Sequence, residues 1–360
     1  MADDTPRPHK RRPRYRGKNP RAFHEKYKEL DSLRYGADVE KVLSSGKTPA
    51  GSHRPIMVDE ILECLRPVPG EVAVDATLGG GGHARAILER ILPGGRLIGL
   101  DVDPIELPRT EARLRSAGFR PDVLSVHQSN FAGLARVLAD QGLAGADMIL
   151  ADLGVSSMQL DNPDRGFGYK ESGPLDMRMN PLKGLPASQL LARTAVDKLA
   201  RLLERNADEP HADLLAAALK AGAIETTGHL AEVVRDALGE LRLSDEEATA
   251  SIRRAFQALR IAVNDEFATL DWLLRSLTEC LSPGGRVAVL TFHSGEDRRV
   301  KKAFQSGHRD GLYESISDEV VRAGRDEVRA NPRASSAKLR WAVRAASHSP
   351  KPTGGDSVTS

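Results

Sequence analysis

Four consecutive glycines, Gly79–Gly82, constrain the fold of this 360-residue chain more than any other short stretch. They stand in "EVAVDATLGGGGHARAILERIL", between an apolar run that predicts a buried strand and a helical pattern of apolar residues. A strand, a glycine-rich turn and a helix in this order begin a βαβ unit. The glycine run therefore predicts a parallel sheet with a ligand site at its carboxyl edge.

Three more strand patterns follow at short intervals, "RLIGLDVD", "DVLSVHQSNF" and "ADMILADLG", with helical patterns between them. The alternation predicts an α/β fold with a mainly parallel, doubly wound sheet. It stops at residues 156–185, after which the chain reads as helical until about residue 247. The strand patterns "RVAVLTF" and "AKLRWAV" then return, so an inserted helical subdomain splits the sheet domain.

These patterns predict five segments along the chain. A basic, disordered arm (1–50) precedes the first part of the sheet domain (51–160), which is followed by the helical insertion (161–248). The second part of the sheet domain (249–345) and a disordered Ser/Gly/Pro-rich tail (346–360) complete the chain.

The arm is the most charged part of the chain, because residues 1–28 hold ten Lys or Arg against three acids. Such an arm either binds nucleic acid or is a solvated tail without a partner, and its composition does not choose between them. No apolar run is long enough to span a membrane, and no secretory signal is visible, so a cytoplasmic protein is expected. Two cysteines, Cys64 and Cys280, are too few for a disulfide framework or a zinc site, and no metal is expected.

The glycine loop admits more than one ligand. A phosphate-binding P-loop fails because His83 and Ala84 follow the glycines in place of Lys and Ser or Thr. A dinucleotide fingerprint fits loosely, as Gly79-x-Gly81-x-x-Ala84 with an acid about 20 residues later. S-adenosylmethionine has no phosphate. It needs only a backbone that it can approach closely and acids that bind its polar groups. The glycine pattern alone does not decide between this donor and NAD.

Polar residues at the predicted strand ends fit the methyl donor. Asp75 could bind its ammonium group, Asp101 its ribose hydroxyls, and Asn130 with Phe131 its adenine, while Asp152 would lie beside the methyl group. Each has a plainer alternative: Phe131 can belong to the core, and an acid before a helix, such as Asp103, can cap it.

Longer motifs decide between these ligands by resemblance. "ADLGVSSMQLD" (151–161), "RGFGY" (165–169), "GPLDMRMNP" (173–181), "FHSGEDRRVK" (292–301) and "NPRASSAKLR" (331–340), with "FQALRIAVNDE" (256–266), resemble the MraW/RsmH family. The resemblance covers roughly residues 52–345. It implies a class I, Rossmann-like methyltransferase fold and transfer of a methyl group from S-adenosylmethionine to N4 of a cytosine in the decoding centre of small-subunit ribosomal RNA.

The resemblance also assigns candidate residues. Donor-binding positions of the family fall here on Gly81, Gly82, His83, Asp101, Phe131, Asp152 and Gln159, and position adds Asp75. Asp152 is also the candidate catalytic residue, because it follows the fourth strand and could accept the hydrogens of the target amine. Candidate RNA contacts are Arg165, Arg178, Arg333, Lys338 and Arg340, each of which can equally be a solvated surface charge, and His293, which ends a predicted central strand.

Three stretches depart from the family pattern. Gly295 replaces a leucine in "FHSGEDR", "RASSAKLR" has one arginine fewer than usual, and "ADEPHA" (207–212) replaces a "GEER"-like stretch. They put the RNA contacts and the packing of the insertion in question, but not the donor site. Two capping boxes are expected, Thr194 with Asp197 and Ser294 with Asp297.

Three alternative functions stay open beside the ribosomal one. A DNA amino-methyltransferase would carry an Asp/Asn/Ser-Pro-Pro-aromatic motif after the fourth strand, where "DLGVSS" has no proline. A non-catalytic scaffold would bind donor and RNA without turnover, and an NAD-dependent oxidoreductase would bind a nicotinamide cofactor.

Overall fold

A computed structural model describes residues 55–346 of the chain. The predicted basic arm and all but the first residue of the predicted tail lie outside this range. Within residues 55–346 no helix is both long and apolar enough to cross a lipid bilayer.

A seven-stranded sheet in the order β3-β2-β1-β4-β5-β7-β6 forms the centre of the described chain. All of its strands run parallel except β7, which pairs antiparallel with β5 and β6. The predicted class I arrangement is therefore confirmed. The strands are β1 (Val72–Asp75), β2 (Arg96–Asp101), β3 (Leu124–Gln128), β4 (Ala146–Asp152), β5 (Leu281–Thr291), β6 (Tyr313–Ile316) and β7 (Lys338–Arg344).

Helices cover both faces of the sheet, and each face has its own apolar core. One core contains Ile149, Val289 and Leu273, and the other contains Leu97, Leu290 and Ile87. The strands read as nearly continuous apolar runs because parallel strands are buried on both faces. The helices of the sheet domain are α1 (Val58–Leu65), α2 (Gly82–Ile91), α3 (Glu106–Ser116), α4 (Leu134–Asp140), α5 (Ser157–Asp161), α11 (Glu266–Cys280), α12 (Ser294–Arg309) and α13 (Arg325–Ala330).

The segment between β4 and β5 is mainly helical and encloses a third apolar core. Its longest helix begins after a capping box in which Ser244 and Glu247 bond each other's backbone, and Phe256 and Leu259 form part of its buried face. The helices that enclose this core are α6 (Ala187–Arg193), α7 (Val196–Ala207), α8 (Ala212–Leu219), α9 (Thr227–Leu238) and α10 (Asp245–Asn264).

Two local details differ from the sequence-based expectation. The predicted capping box at Thr194 is wrong, because Ala195 is the N-cap of α7 and the Thr194 hydroxyl donates to the Leu190 carbonyl. Strand β6 was not predicted, since "YESI" is short and half polar, and only its pairing with β7 defines it.

The order of the strands fixes the place of the site. From β1 the chain builds outward to β2 and β3, and then returns to the other side of β1 as β4. The carboxyl ends of β1 and β4 therefore flank a crevice that no crossing connection covers, the usual ligand position in open α/β sheets. Asp75 and Asp152 end these two strands, and Asp101 ends β2.

Candidate active site

The glycine loop turns from β1 into α2 with two left-handed residues. Gly79 and Gly81 have φ of 45° and 74°, a region that side chains rarely adopt. A Cβ on Gly81 would lie 2.8 Å from Cγ2 of Thr110. The Thr110 hydroxyl also donates to the Gly79 carbonyl at 2.5 Å, so α3 holds the loop from behind. Glycine is required here by both conformation and space.

Asp101 holds the glycine loop at its other side. Its Oδ2 accepts the Gly79 N–H at 2.7 Å, and its Oδ1 accepts the Asp103 N–H at 2.9 Å. Burial raises the pKa of the Asp101 carboxyl, although these two backbone donors oppose the shift. Asp101, which the sequence assigns to the ribose, therefore also connects the loop after β1 to the loop after β2 through hydrogen bonds.

A cavity of about 750 Å³ opens at this edge of the sheet, a volume within the usual range for ligand pockets. Asp101, Asn130 and Phe131 of the predicted donor residues line it, whereas Asp75, Gly81, Gly82, His83, Asp152 and Gln159 do not. Its opposite wall is formed by residues between β4 and β5, including the start of α11. Sequence patterns did not identify these as site residues. These are Met179, Asn180, Leu182, Lys183, Gly184, Val263, Asn264, Asp265, Glu266, Thr269 and Leu270.

The charged side chains of the cavity wall are strongly unbalanced. Asp101, Asp265, Glu266 and Glu296 contribute four carboxylates, and Lys183 is the single cation among the lining residues of the described chain. Glu266 is paired with Arg260, which lies outside the lining. A wall of this sign repels a pyrophosphate and attracts a cation. The cavity therefore fits a sulfonium donor better than NAD.

Asp75 and His83 are buried beside the glycine loop and form a cluster with Asp152, whose side chain is 28% exposed. His83 Nε2 lies 2.9 Å from the Ile56 carbonyl, so the proton of the neutral ring is on Nε2 and Nδ1 faces Asp152 Oδ2 at 3.5 Å. Burial lowers the pKa of His83 and raises the pKa of Asp75 to about 6. Burial, with the charge of Glu296, raises the pKa of Asp152 to about 7.

Asp152 is the least satisfied acid of this cluster. Its backbone N–H donates to Thr77 Oγ1 at 2.7 Å, which fixes the main chain at the end of β4. Its Oδ1 is buried and has no hydrogen-bond partner in the described chain. An unpartnered carboxylate oxygen is costly unless a ligand supplies a donor, and such groups concentrate at functional sites.

Gln159 and Arg165 meet at Asp103, one layer behind the cavity. Gln159 Nε2 and Arg165 Nη1 both donate to Asp103 Oδ2 at 2.7 Å. The other Asp103 oxygen accepts the backbone N–H groups of Ile105 and Glu106, as the capping alternative for this acid expected. Gln159 is thus placed to support the donor site from behind.

The predicted RNA contacts are mostly engaged in ion pairs. Arg165 and Arg340 are buried, and Arg340 pairs with Asp297 at 2.7 Å. Lys338 lies 3.8 Å from the same carboxylate. Arg178 pairs with Asp176, and Arg333 pairs with Asp161. Burial makes Arg165 and Arg340 ion-pair residues of the interior rather than solvated surface charges, which the sequence did not indicate, whereas Arg178, Arg333 and Lys338 keep part of their side chains in solvent.

His293 and Glu296 correct the predicted capping box of α12. The N-cap is His293, whose Nδ1 accepts the Glu296 N–H at 3.4 Å, while the Glu296 carboxylate accepts the Phe292 N–H at 3.0 Å. Ser294 instead bonds Asp208, and Asp297 pairs with Arg340, so the prediction was wrong by one residue. The geometry that replaces it brings Glu296 into the cavity wall.

Glu266, His293 and Glu296 place possible metal-ligand atoms within 4.8 Å of one another. Because His293 Nδ1 accepts a backbone N–H, its proton is on Nε2, which faces Glu296 at 3.2 Å. Arg260 donates to both oxygens of Glu266. Burial alone would raise the pKa of Glu296, but His293 and Arg260 hold it below its ordinary value. These contacts describe an ion-pair network rather than a cation site.

Two of the three departures from the family pattern, Gly295 and "ADEPHA", have local explanations. A Cβ on the buried Gly295 would lie 2.7 Å from Cζ of Phe267, so the glycine makes room for that ring. Arg299, one turn further along α12, stacks on the same ring at 3.7 Å from its centroid, and its Nη1 donates to the Gly295 carbonyl. In "ADEPHA", Asp208 pairs with Arg298 and the buried Glu209 accepts the Ser251 hydroxyl. The segment thus contributes polar contacts within the insertion and to α12.

Comparison with known proteins agrees with this geometry. The family model described as the MraW methylase family matches residues 50–345. Ribosomal RNA small subunit methyltransferase H 1 of Lachnoclostridium phytofermentans is 45% identical over 344 residues, covering 94% of this chain and 93% of its own. Ribosomal RNA small subunit methyltransferase H 2 of Alkaliphilus metalliredigens is 46% identical over 342 residues, covering 93% and 97%. This chain is a member of the MraW methylase family.

Proposed function

We propose that the protein transfers the methyl group of S-adenosylmethionine to N4 of a cytosine in the decoding centre of small-subunit ribosomal RNA. The observation that carries the proposal is the acid-rich cavity at the crossover between β1 and β4, which suits a cationic nucleoside and disfavours a dinucleotide. The names of the two relatives support ribosomal RNA as the substrate.

The donor would lie along the glycine loop. Asp101 would accept hydrogen bonds from the ribose hydroxyls, and Phe131 with Asn130 would flank the adenine, next to Thr269. Asp75 and His83 would support the methionine end from below the loop. When bound, the donor supplies an electrophilic methyl group on a positively charged sulfur.

Asp152 would act on the target amine. The lone pair of a cytosine amine is delocalised into the ring, so the nitrogen attacks well only when its hydrogens are held by an acceptor. The Asp152 carboxylate would hold one of these hydrogens and receive the proton that the methylated nitrogen releases. His83 Nδ1, at 3.5 Å, faces the same carboxylate and would stabilise its protonated form.

Nitrogen is a better target than C5 for these residues. Methylation at C5 needs a cysteine nucleophile, but Cys64 lies in α1 and Cys280 ends α11, and neither lines the cavity. Burial raises the pKa of both thiols to about 11, so neither is a ready thiolate at neutral pH.

The direct experiment incubates the full chain with labelled donor and small subunits from cells that lack this activity. We expect one labelled cytosine, methylated at N4 by mass mapping. Duplex DNA in competition would identify a DNA amino-methyltransferase. Donor and RNA binding without any S-adenosylhomocysteine would instead identify a scaffold and contradict the proposal.

The raised pKa of Asp152 predicts the pH dependence of the reaction. Because the acid stays protonated up to about pH 7, kcat should fall about tenfold per pH unit below that value. Single-turnover rates between pH 5.5 and 9, roughly the span over which the acid titrates, test this. A profile that is flat through pH 7 would show that Asp152 need not be ionised.

The basic arm gives a separate prediction about RNA affinity. Removing residues 1–48 deletes thirteen Lys or Arg residues, ten of them within residues 1–28, and should weaken RNA binding while donor affinity stays the same. The slope of log K against log salt should flatten by about 0.7 for each lost phosphate contact. Filter binding at several salt concentrations measures both the affinity and the slope. A slope equal to that of the full chain would mean that the arm does not contact RNA.

A further inference from the structure

Arg165 connects two walls of the cavity through its guanidinium group. One nitrogen, Nη1, donates to Asp103, and the other, Nη2, donates to the carbonyls of Arg178 and Met179 at 3.1 and 2.9 Å. The Arg165 carbonyl accepts the Met177 N–H, so the contact continues through its backbone. All of this lies in the interior, because Arg165 is 8% exposed and Asp103 1%.

Both ends of this connection reach the cavity. On the donor side, the Asp103 N–H binds Asp101, which lines the cavity and holds Gly79. On the opposite side, the Met179 N–H binds Asn264 at 2.7 Å, and both residues line the cavity. One continuous series of hydrogen bonds therefore runs from the predicted ribose carboxylate to the wall that faces the donor.

A purely stabilising role accounts poorly for a buried ion pair. Removing two charges from water costs about as much as their attraction returns, so apolar replacements of such pairs are often neutral for stability. The fork of an arginine instead gives geometric definition, since it donates to a carboxylate and to carbonyls in one plane. The sequence singled out Arg165 as an RNA contact, but its burial leaves it no phosphate to reach.

We infer that Arg165 is a positioning residue, which sets the separation between the donor's ribose site and the wall at Met179–Gly184, where we place the target nucleotide. The inference rests on the proposed function for the identity of the two ligands. It implies that occupation of the ribose site orders the opposite wall through Asp103 and Arg165.

The test compares Arg165→Lys with a matched control, Arg115→Lys. Arg115 also donates to one carboxylate and two carbonyls, those of Glu111, Phe119 and Leu124, but it lies on α3 outside the cavity wall. A lysine keeps the positive charge but loses the fork. We expect Arg165→Lys to lower kcat about 100-fold with donor Kd changed less than about threefold, because a small misplacement affects reaction more than binding.

Amide hydrogen exchange separates positioning from stability. In the unaltered protein, S-adenosylhomocysteine should slow exchange of residues 177–184 about tenfold, and Arg165→Lys should abolish that protection while Arg115→Lys retains it. Partial return of activity to Arg165→Ala with millimolar guanidinium, but not with methylammonium, would further support the role.

Two results would overturn the inference. One is donor-dependent protection of residues 177–184 that persists in Arg165→Lys. The other is a loss of kcat no greater than that of Arg115→Lys. Failure of the proposed function would give a different result. The unaltered protein would then label no cytosine, but the hydrogen-exchange experiment would still test the role of Arg165.

Discussion

Asp152→Asn should lower kcat for methyl transfer by about 10²–10³-fold, the largest effect that we expect from a single substitution. The amide keeps the size of the side chain, but it cannot receive a proton. Its nitrogen also adds a donor where the target amine needs an acceptor. Single-turnover measurements with saturating donor and RNA isolate this step from binding.

Donor affinity distinguishes this effect from a damaged site. Calorimetry with S-adenosylhomocysteine should give nearly the same Kd for Asp152→Asn and for the unaltered protein. Asp122→Asn, an exposed acid after α3, is the matched control and should leave both quantities unchanged. A kcat within about threefold of the unaltered value would remove Asp152 from the chemistry and leave the transfer to positioning alone.

Gly81→Ala should raise the donor Kd at least tenfold, the largest effect that we expect on donor binding. The new methyl group would require Thr110 to move and would force a side chain into a left-handed conformation, which costs about 1–2 kcal/mol. Because Thr110 also bonds the Gly79 carbonyl, its movement would carry the loop with it.

Gly142→Ala separates conformational strain from local crowding. Gly142 has a similar φ of 69°, but its neighbourhood is open and it lies far along the chain, after α4. The Gly142→Ala substitution should therefore lower the thermal unfolding midpoint by a few degrees without changing the donor affinity. Equal donor affinity in Gly81→Ala and the unaltered protein would mean that the loop does not approach the donor closely.

The sheet and the edge at which the candidate site lies were predictable because their signals are local. Apolar runs that end in Asp75, Asp101 and Asp152 identify parallel strands, and the carboxyl ends of such strands share one edge. The alternation of strands and helices then gives the layers, and the glycine run marks the turn between β1 and α2. The residue types that matter lie within a few positions of each signal.

The opposite wall of the cavity was not predictable, because its residues give no local signal in the sequence. Met179, Asn264 and Glu296 are far apart in the chain and meet only through the packing of the insertion and α11 against the sheet. Arg165 lies in a glycine-rich stretch that looks exposed, and its partner Asp103 is 62 residues away. No periodicity in a sequence indicates a hydrogen bond between residues so far apart. The basic residues were therefore assigned to RNA from their charge alone.

The imbalance of charge in the cavity also bears on product release. Methyl transfer converts the sulfonium ion into a neutral thioether, so the ligand loses one positive charge while the four lining carboxylates remain. A single charge within a few ångströms of such groups is worth on the order of 1–4 kcal/mol near a protein surface. We therefore expect the spent donor to be held less firmly than the fresh one, so that methyl transfer favours the exchange that begins the next turnover.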